Sequence, residues 1–385
     1  MVQWYCAANA QGGNMDILLP NIVQFPSDAE SNSFFGALSS ALLPALGYTE
    51  RTPYWCSPRG GYCVRCGKCG ESVLPRHHLS VYHVLLTVSG AVFGFAYPED
   101  DGFFTLSSAW RRQLWPDSFL EQLFSFAGLG RSRFGAGTPK RKLLDAFARS
   151  LDAGIPVPVR LGGRKCWQVV TGLEGDALVG LDSRAHTLAG RAEYRGENFV
   201  LQDWYSGFAD AVVPGPVRPR RVGYRQVLEG AAGALSRPRR ALFRRRLFSL
   251  LGSVREGDAQ AAAEEICRAA GVPVEARWHA AEAFCSADNL LSALSQNGAL
   301  KDRLHRLFFE RYIRDGSGET HGVCWKIWGL LGCCESTGLS APEDAGERLL
   351  RPGVRGELEQ LWRRVFENDE AVLAGLRQIL GKANQ

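Results

Sequence analysis

Between Ile155 and Val213 five short runs are apolar or alternate with polar residues: Ile155–Leu161, Trp167–Leu173, Ala177–Asp182, Phe199–Trp204 and Ala211–Val213. Gly162-Gly163, Glu174-Gly175 and Pro214-Gly215 punctuate them. Short runs of this kind, broken by residues that favour tight turns, predict a meander of β-strands in an antiparallel sheet. The sequence on either side is helical in pattern. Asn32–Leu46 places Phe34, Phe35, Leu38, Leu42, Leu43 and Leu46 at helical spacing and stops at Gly47. Leu79–Val88 and Pro116–Leu129 are further helices. In Thr138–Leu151 the expected N-cap is Thr138, Pro139 opens the first turn, Leu143, Leu144, Phe147 and Leu151 share one face, and Gly154 closes the helix. Beyond Pro214, Pro216 and Pro219 the chain is helical to its end, with strong faces such as Leu358, Leu361, Trp362, Val365 and Phe366. The fold class is therefore α+β. The expected divisions are a tail over 1–14, an α+β domain over 15–215 and an α-helical domain over 216–385.

A chain of 385 residues with 45% hydrophobic and 22% charged residues has the composition of folded globular domains and excludes fibrous and disordered classes. No apolar run approaches the roughly 18 residues that a membrane span needs. The start, MVQWYCAANAQGGN, lacks the basic head and apolar core of a secretory signal, so the expectation is a cytoplasmic protein with no membrane partner. In such a compartment the eleven cysteines read as metal ligands or small buried residues before they read as disulfides.

The densest cysteine cluster is WCSPRGGYCVRCGKCGE, with Cys56, Cys63, Cys66 and Cys69. A Cys-x2-Cys knuckle turns two sulfurs toward one point, and Gly67 and Gly70 relieve the turns. Four thiolates so close together make a closed, structural zinc site the leading reading. His77, His78 and His83 lie downstream as possible replacements for one cysteine. Cys-x2-Cys-x2-Cys is also the spacing of iron–sulfur loops, although the usual fourth cysteine followed by proline is missing.

Two stretches carry a family resemblance. PNIVQFPSDAESNSFFGALSSALLPALGY and KCWQVVTGLEGDALVGLDSR resemble bacterial proteins similar to the N-terminal domain of butirosin biosynthesis protein H and, more distantly, the double-glycine leader peptidases. VEARWHAAEAF and HGVCWKIWGLL resemble uncharacterised homologues of the same group. The resemblance implies a papain-like cysteine-protease fold, in which a cysteine at a helix N-terminus attacks, a histidine on a facing strand takes the proton, and an acid orients the histidine. Transferred to this chain, the nucleophile position is Ser33, the base position Cys166 and the orienter Asp182. Only the last retains its chemistry. A hydroxyl without a base stays protonated, and a thiol does not replace imidazole as a proton shuttle. Competing readings are a helix N-cap for Ser33, a buried small residue for Cys166 and a turn-initiating Asp182. His186, in the loop after Asp182, is the histidine nearest to the expected place.

From Val217 to Arg246 ten arginines face one acid, Glu229, a local charge of +9 in a chain whose total is +5. Aromatic residues are sparse there and no nucleic-acid motif is present, so a solvated or inter-domain face is expected rather than a nucleic-acid partner. Trp325, Trp328 and Trp362 read as core. The functional expectation is a non-catalytic protein with a peptide or small acyl-type ligand in the former active-site cleft. The alternatives are an acyltransferase, an amide-bond or cysteine-peptidase-like enzyme with an atypical residue set, and a structural or regulatory protein with a protein partner or a second copy as its ligand.

Overall fold

The centre of the sheet is a strand buried on both faces over most of its length. QVVTGL is buried throughout in β6 (Gln168–Glu174), as required of a strand covered on both sides. In this computed structural model the described residues are 16–19, 22, 33–45, 54–56, 61–63, 76–93, 117–161, 167–182, 188–196, 198–236, 238–285, 291, 297–314, 318–333 and 341–382. They divide into a unit formed by 1–82 and 117–221 and a unit formed by 83–116 and 222–385. The changeover after Arg221 compares with the boundary expected near 216, whereas His83–Pro116 groups with the helical unit.

The first unit is built on an eight-stranded sheet, all of whose pairings are antiparallel. Its strands are β1 (Asp16–Leu18), β4 (Leu129–Gly135), β5 (Val157–Arg160), β6, β7 (Ala177–Leu181), β8 (Glu193–Arg195), β9 (Asn198–Leu201) and β10 (Asp210–Val217). The order is β4-β10-β5-β6-β7-β9-β8, and β1 also pairs with β6. A Cβ on Gly172 would collide with the carbonyl of Ile17, so glycine is what lets β1 approach β6. One face packs on α4 (Lys140–Asp152) through Leu143, Phe147, Val157, Val159, Val170 and Trp204. Helix α1 (Ser33–Ala45) packs on β5 and β6 with Phe34, Phe35, Leu38 and Leu42 fully buried, and α3 (Asp117–Ala127) leads into β4. A separate hairpin pairs β2 (Tyr54–Cys56) with β3 (Gly61–Cys63). Helix α2 (Arg76–Val88) begins in this unit and ends in the other.

Helix α4 corrects the expected cap. Pro139 holds the cap position, and the Thr138 hydroxyl donates to the carbonyl of Gly135 at 2.8 Å instead of capping. Gly154, with φ +76°, ends the helix as expected, its N–H bonding the carbonyl of Leu151.

The second unit is helical. After the short turn Ala91–Phe93 come α5 (Tyr224–Leu235), α6 (Pro238–Ser253), α7 (Ala259–Cys285), α8 (Gly298–Phe308), a π-turn (Phe309–Ile313), α9 (Thr320–Leu330), α10 (Ala345–Leu350) and α11 (Pro352–Lys382). Phe243, Leu247, Ile266, Trp328, Trp362 and Phe366 lie in its core, and Trp325 packs against it. The arginine-rich helix α6 faces α11. Arg240 donates to the carbonyl of Phe366 at 2.7 Å, Arg240 and Arg244 both reach Glu370, and Arg244 lies 5.5 Å from the Phe366 ring. No described helix is long and apolar enough to cross a membrane.

Candidate functional site

Ser33 is the first residue of α1, a helix that exists because nearly every following side chain is apolar. Phe34 buries its ring edge-to-face against Trp167, centroids 4.8 Å apart, and both rings are almost wholly enclosed. The Ser33 position and the Cys166 position are thus each one residue from the same aromatic contact. Cys166 and His186 themselves lie outside the described residues. The hairpin that leads into β6 is closed by Gln168, fully buried, whose Oε1 accepts from the N–H of Leu161 at 3.1 Å.

Asp182 follows β7, one residue past the pairing of Leu181 with Val169. Its Oδ2 accepts from the backbone N–H of Leu188 at 3.0 Å and from the Tyr194 hydroxyl at 2.7 Å. The carboxylate thereby ties the end of β7 to Leu188 and to Tyr194 of β8.

In the cysteine hairpin the backbone register sets Cys56 opposite Gly61 and Cys63 opposite Tyr54. Cys66 and Cys69 lie outside the described residues. Of the three histidines considered as substitutes, His83 is engaged elsewhere. It is buried in the helical unit with its Nδ1 2.8 Å from Nδ1 of His279 and its ring edge-on to Trp278. Burial, reinforced by His279, holds His83 well below the ordinary histidine range, and burial pushes His279 down to about 3. Both rings are neutral at physiological pH, with one Nδ1 donating and the other accepting. Among the described residues no group of three His, Cys, Asp or Glu side chains is gathered as a metal site.

The helical unit also encloses a charged network that the sequence reading did not single out. Arg277, fully buried, donates to both oxygens of buried Asp369, Nε at 3.0 Å and Nη2 at 2.8 Å, and to the carbonyl of Val92. Tyr312 donates to the same carboxylate at 2.9 Å. Burial opposes the Arg277 charge, and Asp369 beside it sustains that charge; burial and Asp369 together push Tyr312 well above the usual phenol range. A signal was present. Asp369 falls on the stripe Leu358, Trp362, Val365 and Phe366, Val372, Leu376, and Arg277 on the stripe Pro273, Ala276, Ala280, Phe284, each where helical spacing calls for an apolar residue. A charge at such a position requires a buried partner. Each of these bonds is internal to the helical unit.

No family model, curated protein or solved structure matches this chain.

Proposed function

We propose that the sheet unit is a non-catalytic, papain-like domain that takes a peptide or small acyl-type ligand beside the head of α1. One observation carries this reading: the Asp182 carboxylate is held by Leu188 and Tyr194. Acyl transfer through a side-chain nucleophile needs a base within hydrogen-bond reach and a group that orients the base. Here the nucleophile position holds a serine and the base position a cysteine, and the acid accepts from a backbone N–H and a phenol. The Phe34–Trp167 contact meanwhile keeps α1 and the start of β6 together, the arrangement a cleft between them requires.

The hairpin is the structural clip of this unit. Cys56, Cys63, Cys66 and Cys69 would hold one zinc ion, supplying cohesion where so short a hairpin has little core of its own. The donor set fits: two cysteines sit on paired strands and the knuckle follows within six residues. Zinc analysis of gently purified protein should give about one ion per chain, and Cys66→Ser should cost folding. Protein that is folded and free of metal would remove the clip.

The ligand reading is tested by titrating the wild-type chain calorimetrically with an acyl-peptide and treating it in parallel with a fluorophosphonate. Saturable binding with Ser33 unlabelled is expected. Stoichiometric labelling of Ser33 would place an acyltransferase reading first, and absence of binding across acyl-peptides and thioesters would remove the ligand.

A further inference from the structure

Four cysteine side chains are described in the helical unit, and two of them meet. Sγ of Cys267, in the first half of α7, lies 2.7 Å from Sγ of Cys333, in the turn after α9, across 66 residues of sequence. Both are buried, at 3% and 6% exposure. The approach is fixed by backbone as well as by side chains. Trp328 donates its ring N–H to the carbonyl of Cys267 at 2.9 Å, and its own carbonyl accepts the N–H of Cys333 at 2.9 Å. One tryptophan thus holds the main chain on both sides of the sulfur pair. Gly332, with φ +80°, makes the turn that brings Cys333 back to it. Cys324 and Cys285 have other surroundings: Cys324 lies near Arg277 and Asp369, and Cys285 faces the carbonyl of His305 at 3.8 Å.

We propose that Cys267 and Cys333 are a disulfide-forming pair that ties α7 to the end of α9. The pair is independent of the hairpin cysteines and of the ligand reading. The oxidant is a small-molecule disulfide. One cysteine sulfur, as thiolate, attacks it and releases one small thiol, leaving a mixed disulfide. The second cysteine sulfur then attacks the protein sulfur of that mixed disulfide and releases the other small thiol. Two protein thiols lose two electrons and two protons, and the small disulfide gains both as two thiols. Contact with Cys333 and burial push the Cys267 thiol far above its usual range, and thiolate is the attacking species, so exchange runs through opened states. The bond is consequently set while the unit folds and is slow to change afterwards.

The test uses the full chain, equilibrated with oxidised and reduced glutathione in mild denaturant, returned to native buffer, alkylated in strong denaturant and digested. A Cys267–Cys333 linked peptide is expected, with the helical unit melting roughly 5–10 °C above its reduced form. Cys267→Ser should abolish the link and leave Cys333 carrying a single glutathione. If that variant does not fold, the wild-type peptide map decides. Two separately alkylated or separately capped thiols, or a link from Cys267 to any other cysteine, would overturn the proposal.

Discussion

Two carboxylates, one in each unit, show how differently this chain uses the same group. Asp182 stands at a strand end, half-buried, with a backbone N–H and a phenol as donors. Asp369 has no exposure at all and answers two N–H donors of a buried guanidinium as well as the Tyr312 hydroxyl. The first joins the end of β7 to Leu188 and Tyr194, and the second ties Arg277 of α7 to Tyr312 and α11. A charge at a strand end is served by local donors at small cost, whereas one inside a helical core needs a complete, opposite set. Position in the fold, more than residue type, sets which donors each carboxylate is given.

The largest expected effect breaks the buried set. Asp369→Ala leaves Arg277 without its counter-charge and should cost about 3–5 kcal/mol of unfolding free energy. Urea denaturation of wild type and variant checks this. A loss no greater than that of a surface pair, below about 1 kcal/mol, would erase the contrast.

Acid comes next. His83 and His279 are held neutral by burial in the folded unit, so below about pH 6.5 the unfolded chain takes up protons that the folded unit refuses. Stability attributable to them is complete above that pH. It falls on acidification as the unfolded chain takes up those protons, until the folded value of about 3 for His279 is reached. Denaturation midpoints between pH 7 and pH 4.5 should drop in the helical unit, and His279→Phe should flatten the profile even where it lowers stability overall.

Asp182→Ala removes one acceptor from two neutral donors and should cost about 1–3 kcal/mol, confined to the sheet unit. Hydrogen exchange around Leu188 to Tyr194 reads it locally. Smallest of all, Thr138→Ala should change stability by less than about 0.5 kcal/mol, because this hydroxyl is not a cap. A loss near 1 kcal/mol would restore the cap reading.

Much of this layout was legible in sequence. Apolar runs broken by Gly and Pro correspond to β5, β6, β7, β9 and β10, since turn chemistry and burial act over a few residues. β4 was not legible. Its Arg131 and Arg133 interrupt any apolar pattern, and the strand is held by Glu121 on the preceding helix and by β10 and Asp210, both distant in sequence. The same limit hid the Arg277–Asp369 and Cys267–Cys333 pairs, separated by 92 and 66 residues. Each member was visible as a misfit on an apolar stripe or as one cysteine among eleven, but the partner was not. Among the candidate site residues, the positions of Ser33 and Asp182 at element ends followed from local pattern. The commitment of Asp182 to Tyr194 depended on the return of β8.

Whether the sheet unit keeps the arrangement of a cleft without its chemistry is decided by restoring the missing groups. Ser33→Cys combined with Cys166→His would place a thiol at the head of α1 and an imidazole before Trp167. Iodoacetamide alkylation of the introduced thiol, followed against pH, is the measurement. In the double variant that thiol should be alkylated at neutral pH well ahead of the same thiol in the Ser33→Cys single variant, because a neighbouring imidazole lowers its pKa. Equal rates in the two folded variants would contradict the cleft, since positions 33 and 166 would then not face one another.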